Sequence, residues 1–344
     1  MPAAGLDISA RGVKLIALTR SGGHVALARA AQTEIAEGVI VEGDIVEPDA
    51  LVEVLRRLRS RYGVKFVHAS LPEKKAFLYR TVMPLPHDVR ALRQAIESEL
   101  EEHVPLPPAE TAFDFEIAQS SISGGHVEVA VTAYARRIVG SYMDVLSRAG
   151  LVPVSLEVES HALARAVVPA AEMGTVMAVD FGRYATRVAF VSKGSVVFTA
   201  TIDIGGQTLT TAIMKQRNVT EEEATRLKNE QGIVPGAAGQ DLSEALMISV
   251  SVLKDEISRH ITYWNDHAAA TGAASAVECI YLSGGNSNLR GLPEHLASSL
   301  GITTRVANVW VNAFSFDTYI PELSREQSLG FATAVGLALR SFTQ

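Results

Sequence analysis

Residues 5–14 read GLDISARGVK: an apolar stretch ends in Asp7, a small polar turn follows, and Lys14 opens the next apolar stretch. Alone, this fits an ordinary β-hairpin as well as half of a phosphate-binding loop. The chain, however, does it twice. Residues 176–201, VMAVDFGRYATRVAFVSKGSVVFTAT, put Asp180 under Asp7, Gly182 under Ser9 and Arg187 under Lys14. Leu15 then falls on Val188 and Leu18 on Val191, and the Ser21-Gly22-Gly23 turn overlies Gly194-Ser195. Each copy predicts a strand ending in Asp, a tight turn, a strand, a Gly-containing hairpin and a further strand. The copies lie about half a chain length apart, which suggests two similar halves and not a short-period solenoid.

An Asp at a strand end, beside a turn of free backbone N–H groups, makes a concavity for phosphate oxygens. Small turn residues let the backbone approach closely. Asp7 and Asp180 together suit Mg²⁺ held through water, because that small hard ion keeps much of its hydration. Lys14 would neutralise the phosphates. Duplicated hairpins also serve as scaffold, so the pair alone leaves both readings open. A third segment, residues 280–301 (IYLSGGNSNLRGLPEHLASSLG), predicts a strand ending in Ser-Gly-Gly followed by a helix. Adjacent glycines let a planar ring or a phosphate lie against the backbone; a plain strand-to-helix turn is the other reading.

The chain has 344 residues, 47% hydrophobic and 20% charged, enough for two ordinary domains and unlike a disordered chain. Thirty-one Lys and Arg against 38 Asp and Glu leave a net charge of −7. That acidic balance argues against a nucleic-acid surface. Cys279 is the only cysteine, in the apolar run VECIYL; it excludes an intrachain disulfide, favours a reducing compartment and reads as a buried strand residue. The first residues lack a signal-peptide pattern, and no window approaches the roughly 20 apolar residues of a membrane span. The expectation is a cytoplasmic protein that reaches a membrane only through a partner.

The three segments, in this order, resemble the two phosphate hairpins and the adenosine loop of the actin-like ATPase superfamily. Residues 68–118, from HASLPEKKAFLYR to AFDFEIA, look like the inserted subdomain of the type IV pilus assembly protein PilM family; the cell-division protein FtsA has a related insertion. Residues 127–167 (VEVAVTAYARR to SHALARAV) and 202–232 (IDIGGQTLTTAIMKQ to LKNEQG) are similar to that family's following segments. The resemblance implies an α/β, actin-like (ribonuclease H-like) fold of two pseudo-symmetric domains with a small α+β insertion. It implies domains over 1–175, with the insertion at about 77–150, and 176–325, closed by a helix over 326–344 returning to the first. It implies ATP with Mg²⁺, held by Asp7, Ser9, Ala10, Arg11 and Lys14, by Asp180, Gly182, Arg183 and Tyr184, and by Gly205, Gly206, Lys228, Gly284, Gly285 and Asn286. A polar side chain on the helix linking the halves, expected over 157–168, would orient the attacking water. Glu159 matches best and Glu157 second; a surface carboxylate is the alternative. The chain departs from the family in having Ser9 where Gly is usual, Ala10 and Arg11 where small hydroxyl residues are, Arg183 and Tyr184 where smaller residues are, and Thr225 for a ribose-contacting Glu.

The implied function is an ATP-binding assembly protein, at most a weak ATPase, peripheral to the inner membrane. It would bind the cytoplasmic N-terminal tail of a PilN-like membrane protein, serve the pilus motor components, and use nucleotide as a conformational ligand. An FtsA-like cytoskeletal ATPase, a nucleotide-free scaffold and a small-molecule kinase of the same superfamily are the alternatives.

Elsewhere, Val89, Leu92, Ile96 and Leu100 predict an amphipathic helix with Glu97, Glu99, Glu101 and Glu102 on its other face, a solvated or a docking surface. Ile138, Tyr142, Val145, Leu146 and Ala149 predict a second helix of the same small module, closed by Gly150. Asp241 and Glu244 open the longest helix in a capping-box pattern, and Leu246, Val250, Leu253, Ile257, Ile261 and Trp264 supply its buried stripe. His260 and His267 lack a third ligand and read as packing histidines.

Overall fold

The computed structural model describes residues 2–85, 87–117, 125–234, 240–271 and 275–342. By its contacts the chain divides into two compact units, Met1–Thr19 with Ala28–Glu159 and Arg340–Gln344, and Arg20–Leu27 with Ser160–Leu339.

The first unit is built on β1 (Ala4–Ser9), β2 (Gly12–Ser21) and β3 (His24–Glu34), an antiparallel meander. Two short strands, β4 (Ile40–Val41) and β5 (Asp44–Ile45), lead into α1 (Pro48–Tyr62), which starts on a helix-compatible Pro and ends at a left-handed Gly63. Its Leu51, Val52, Leu55 and Leu58 are buried at helical spacing. β6 (Phe66–Leu71) pairs parallel to β1. Then come β7 (Phe77–Pro84), α2 (Val89–His103), β8 (Thr111–Ile117) and β9 (His126–Ala135). These form a three-stranded sheet in the order β7-β9-β8, with Leu92 and Ile96 of α2 packed against Met83, Val127, Val129 and Val131. Asp88 caps α2, accepting from the Ala91 N–H at 2.7 Å. Val89, expected in the buried stripe, is 67% exposed, because it occupies the first helical position before the stripe meets the sheet.

After α3 (Arg136–Arg148), β10 (Val152–Val158) completes the main sheet in the order β10-β6-β1-β2-β3. The sequence groups α3 with the small module. Its buried Ile138, Tyr142, Val145, Leu146 and Ala149 instead join the larger core, with Leu6, Leu15, Leu51 and Leu55.

The second unit repeats the plan. After α4 (Glu159–Val167), β11 (Thr175–Phe181), β12 (Thr186–Ser192) and β13 (Ser195–Ile202) form the meander. Helices α5 (Gly206–Arg217), α6 (Glu221–Gln231) and α7 (Gln240–Thr271) precede β14 (Val277–Ser283). Next come α8 (Leu292–Leu300) and β15 (Thr303–Val306), giving the sheet order β13-β12-β11-β14-β15. The chain ends with α9 (Arg325–Leu329) and α10 (Ala332–Leu339). In both sheets an antiparallel meander occupies one side and two parallel strands the other.

Leu246, Val250, Leu253, Ile257 and Ile261 of α7 are buried as their spacing predicts; the side chains of Asp241 and Glu244 lie outside the described residues. His267 bonds the Tyr263 carbonyl at 3.0 Å, and burial pushes His260 below its ordinary range. Cys279 is half-buried in β14, short of the full burial expected, and desolvation pushes its thiol up.

Candidate functional site

β1 and β2 bring Asp7 opposite Lys14, and β11 and β12 bring Asp180 opposite Arg187. The two hairpins therefore match residue for residue, including the closing pair: Ser9 faces Gly12 across the first turn, and the Gly182 N–H donates to the Ala185 carbonyl at 3.1 Å across the second. Register in a two-stranded ladder is local, so the same pattern of Asp, turn and cation folds the same way twice.

In the first hairpin Asp7 is 8% exposed. The parallel neighbour β6 delivers Ser70, whose hydroxyl donates to Asp7 Oδ1 at 3.1 Å and accepts from the Ile8 N–H at 2.9 Å. Ser9, where Gly is usual, turns its hydroxyl back onto the Gly12 carbonyl at 3.0 Å. Arg11 pairs with Glu37 at 2.9 Å, and Ala10 is exposed at the turn. Glu159 is 4% exposed, and its Oε2 accepts from the Glu73 N–H at 3.2 Å. Burial raises Tyr142, and the charges of Glu159, Asp44 and Asp7 raise it further. Asp7 and Glu159 thus bear on the same phenol.

Glu157 is not on the linking helix. It remains in β10, opposite Ser70, and pairs with Arg340 at 3.3 Å. The ladder of Leu156, Glu157 and Val158 on Ala69, Ser70 and Leu71 holds these residues extended, so the helix opens at Glu159.

In the second hairpin Arg187 pairs with Asp180 at 3.2 Å. The turn carbonyls of Gly182 and Arg183 accept from the Gly206 and Gln207 N–H groups at 3.0 and 2.7 Å. Two orphan donors at the start of α5 are satisfied in this way. A Cβ at Gly205 would stand 2.4 Å from the Arg183 carbonyl oxygen, so only glycine permits this approach. Arg183 is drawn onto Gln207 at 3.1 Å and Glu221 at 2.5 Å, while Tyr184 is 42% exposed.

Gly284 has φ +86°, and a Cβ there would meet Asp180 Oδ1 at 2.4 Å. Asn286 lies over Gly206 and donates to the Phe181 and Gly182 carbonyls at 3.2 and 2.8 Å. Its Oδ1 accepts from Lys228 Nζ at 2.8 Å, and the Gly206 carbonyl accepts from the same ammonium at 3.3 Å. Gly285 opens the 3-10 turn Gly285–Asn288. Within the second unit, then, Asp180, Gly182, Gly205, Gly206, Lys228, Gly284 and Asn286 form one connected cluster. Lys228 is 6% exposed; burial, then the charge of Arg183, pushes it down to about 8. Ser70, Glu73 and Arg187 belong to these networks and were not among the residues expected. Only the alignment of Arg187 under Lys14 marked any of them beforehand.

A buried ammonium with neutral oxygen partners suits an anionic or hydroxyl-rich ligand. Among the described residues no group of three or more His, Cys, Asp or Glu is placed to hold a metal directly. A single carboxylate in a hairpin of this kind suits Mg²⁺ held through phosphate and water and not an all-protein cage.

The structure of a "PilM-PilN type IV pilus biogenesis complex" contains a chain similar to this one, at 26% identity and TM-score 0.79, covering 100% of this chain and 99% of that one. The ethanolamine utilization protein EutJ from Carboxydothermus hydrogenoformans matches at 16% identity and TM-score 0.56, over 98% and 89% of the two chains. MreB5 of Spiroplasma citri bound to ADP matches at 14% and 0.56, over 91% and 93%. These neighbours make the fold actin-like. Among the described residues no helix is long and apolar enough to cross a membrane. A family model described as "Type IV pilus assembly protein PilM" matches residues 5–342, and the chain belongs to that family.

Proposed function

We propose that this protein is an ATP-binding assembly protein of a type IV pilus or related secretion machine, cytoplasmic and peripheral to the inner membrane. It binds the cytoplasmic N-terminal tail of a PilN-like protein. The observation that carries the nucleotide part is the doubled hairpin, Asp7 opposite Lys14 and Asp180 opposite Arg187. The partner part is supported by family membership and by likeness to a chain solved in a PilM-PilN complex.

On this reading residues 1–175 and 176–325 are the two actin-like domains, with the insertion at about 77–150, its last helix α3 packed into the core of the first domain, and the closing helix after 326. Asp7, Ser9, Ala10, Arg11 and Lys14 meet the nucleotide from one hairpin. Asp180, Gly182, Arg183 and Tyr184 meet it from the other, with Gly205, Gly206, Lys228, Gly284, Gly285 and Asn286 at the nucleoside. When bound, Mg²⁺ offsets phosphate charge, and Asp7 and Asp180 orient its water ligands. Glu159, anchored on the Glu73 N–H, is the residue that would position a water, and little or no turnover is expected.

The test titrates a synthetic PilN-type tail peptide into the full chain with and without saturating ATP. Peptide affinity is expected to differ severalfold between the two conditions. Equal affinities overturn the conformational-ligand reading, absence of peptide binding overturns the partner, and phosphate release at several turnovers per second overturns the non-hydrolytic role.

A further inference from the structure

The acidic balance of the chain conceals one basic run. From Val54 to Pro72 the sequence carries Arg56, Arg57, Arg59, Arg61 and Lys65 and no Asp or Glu. Arg57 pairs with Glu53 at 3.0 Å. Arg56, Arg59, Arg61 and Lys65 are exposed, and none has a carboxylate within ion-pair distance among the described residues.

The fold gathers Arg56, Arg59 and Lys65 along one rim of the first unit, while Arg61, two positions past Arg59 on α1, falls on the other flank of the helix. Arg56 clamps the Arg148 carbonyl at the end of α3 through Nε at 3.1 Å and Nη2 at 2.9 Å. The Arg59 guanidinium lies against Gly150. The Lys65 carbonyl accepts from the Val152 N–H at 2.8 Å, which sets Phe66 beside Val152 at the start of the sheet edge. Phe66 is 44% exposed, Val152 41% and Val154, the extra residue of a bulge, 56%. The helix dipole accounts for cations in the last turn of α1, Arg59 and Arg61. It does not account for Lys65 beyond the helix, nor for three apolar side chains left in water beside the cations.

We infer that this rim docks directly on an anionic phospholipid bilayer. Arg56, Arg59 and Lys65 meet headgroup phosphates, their long stems keeping the charge at the polar layer. Phe66, Val152 and Val154 enter the boundary between headgroups and acyl chains. Charge complementarity selects the occupant: unpaired cations need an extended anion, and aliphatic valines beside them need an apolar layer that a polynucleotide does not offer. The contact is independent of nucleotide and of the partner tail, and it adds a membrane contact of the chain's own to the one expected through a partner.

The test is cosedimentation of the full chain, without partner peptide or nucleotide, with vesicles of phosphatidylglycerol and phosphatidylethanolamine, and with vesicles of phosphatidylcholine alone. Binding is expected only to the anionic vesicles, and release is expected in about 1 M salt, where the screening length falls to about 3 Å. R59E/K65E is expected to lower the partition coefficient about tenfold or more. F66S/V152S is expected to lower it severalfold with the salt response retained. K215E/R217E, on α5, is expected to behave as wild type, and circular dichroism checks that each variant is folded. Equal binding to both lipids, no binding to either, or insensitivity to R59E/K65E overturns the proposal. So does tighter binding of the same rim to a single-stranded oligonucleotide or to polyglutamate than to the anionic vesicles.

Discussion

Lys228 is a buried ammonium whose hydrogen-bond acceptors are two neutral oxygens, the Gly206 carbonyl and Asn286 Oδ1. Burial pushes it down to about 8 from an ordinary 10.5. Below pH 8 folded and unfolded chains both hold the proton, and the cost of burying the charge is present in full. Between pH 8 and 10.5 the folded protein releases the proton while the unfolded chain keeps it, so stability from this group rises with pH across that window. Lys228→Met removes the ionisation and keeps most of the length. From pH 7 to 10.5, urea unfolding is therefore expected to move in favour of wild type over Lys228→Met, by roughly 3 kcal/mol. A difference that stays flat across that range overturns the account. Other groups that titrate there cancel between the two proteins.

At the scale of elements, α10 crosses α4 closely within the second unit. A Cβ at Gly336 would stand 1.7 Å from the Ala162 carbonyl oxygen, and Arg165 donates to the Gly336 carbonyl at 3.0 Å. Asn312 closes the end of α4, donating to the Arg165 and Val168 carbonyls at 2.9 and 2.7 Å. Alanine is favoured over glycine by about 1 kcal/mol inside a helix. Gly336→Ala should nevertheless destabilise by about 3 kcal/mol, because rigid backbone, not a movable side chain, stands in the way. The urea midpoint reports the sign: a gain in stability means the crossing is loose. The single closing helix implied over 326–344 is two in the structure: Ser324 and Gln327 form a capping box that starts α9, which stops at Gly330, and α10 follows from Ala332. Hairpin registers were legible because their partners lie a few residues apart. Glu73 on Glu159, Ser70 on Asp7 and Lys228 on Asn286 join residues 58 to 86 positions apart. No local periodicity announces such contacts. Arg11 and Arg183, which stand where the family has smaller residues, are tied to Glu37 and Glu221. The pairing acids lie outside the turns, Glu37 in the loop after β3 and Glu221 in α6, and the turn sequences carry no sign of them.

Across the whole molecule, the two five-stranded sheets share one plan, and each hairpin belongs to a different compact unit. That separation makes the doubled site testable by additivity. Substitutions in distant, independent units add; substitutions that remove two hands from one ligand do not. At a nucleotide concentration of about 100 times Kd, a ligand specific for the folded state stabilises it by about 2.7 kcal/mol, and each tenfold loss of affinity removes about 1.4 kcal/mol of that. If one nucleotide is served by both hairpins, Asp7→Ala and Asp180→Ala should each weaken Mg·ATP by about tenfold or more. The double variant should then fall short of the product of the two single effects, since a triphosphate released by one hairpin offers less to the other. Calorimetric titration of the four proteins with and without Mg²⁺ reads this directly, and without Mg²⁺ the four should converge. An affinity that responds to Asp180 alone would confine the nucleotide to the second unit, leaving the first hairpin as scaffold despite its matching register.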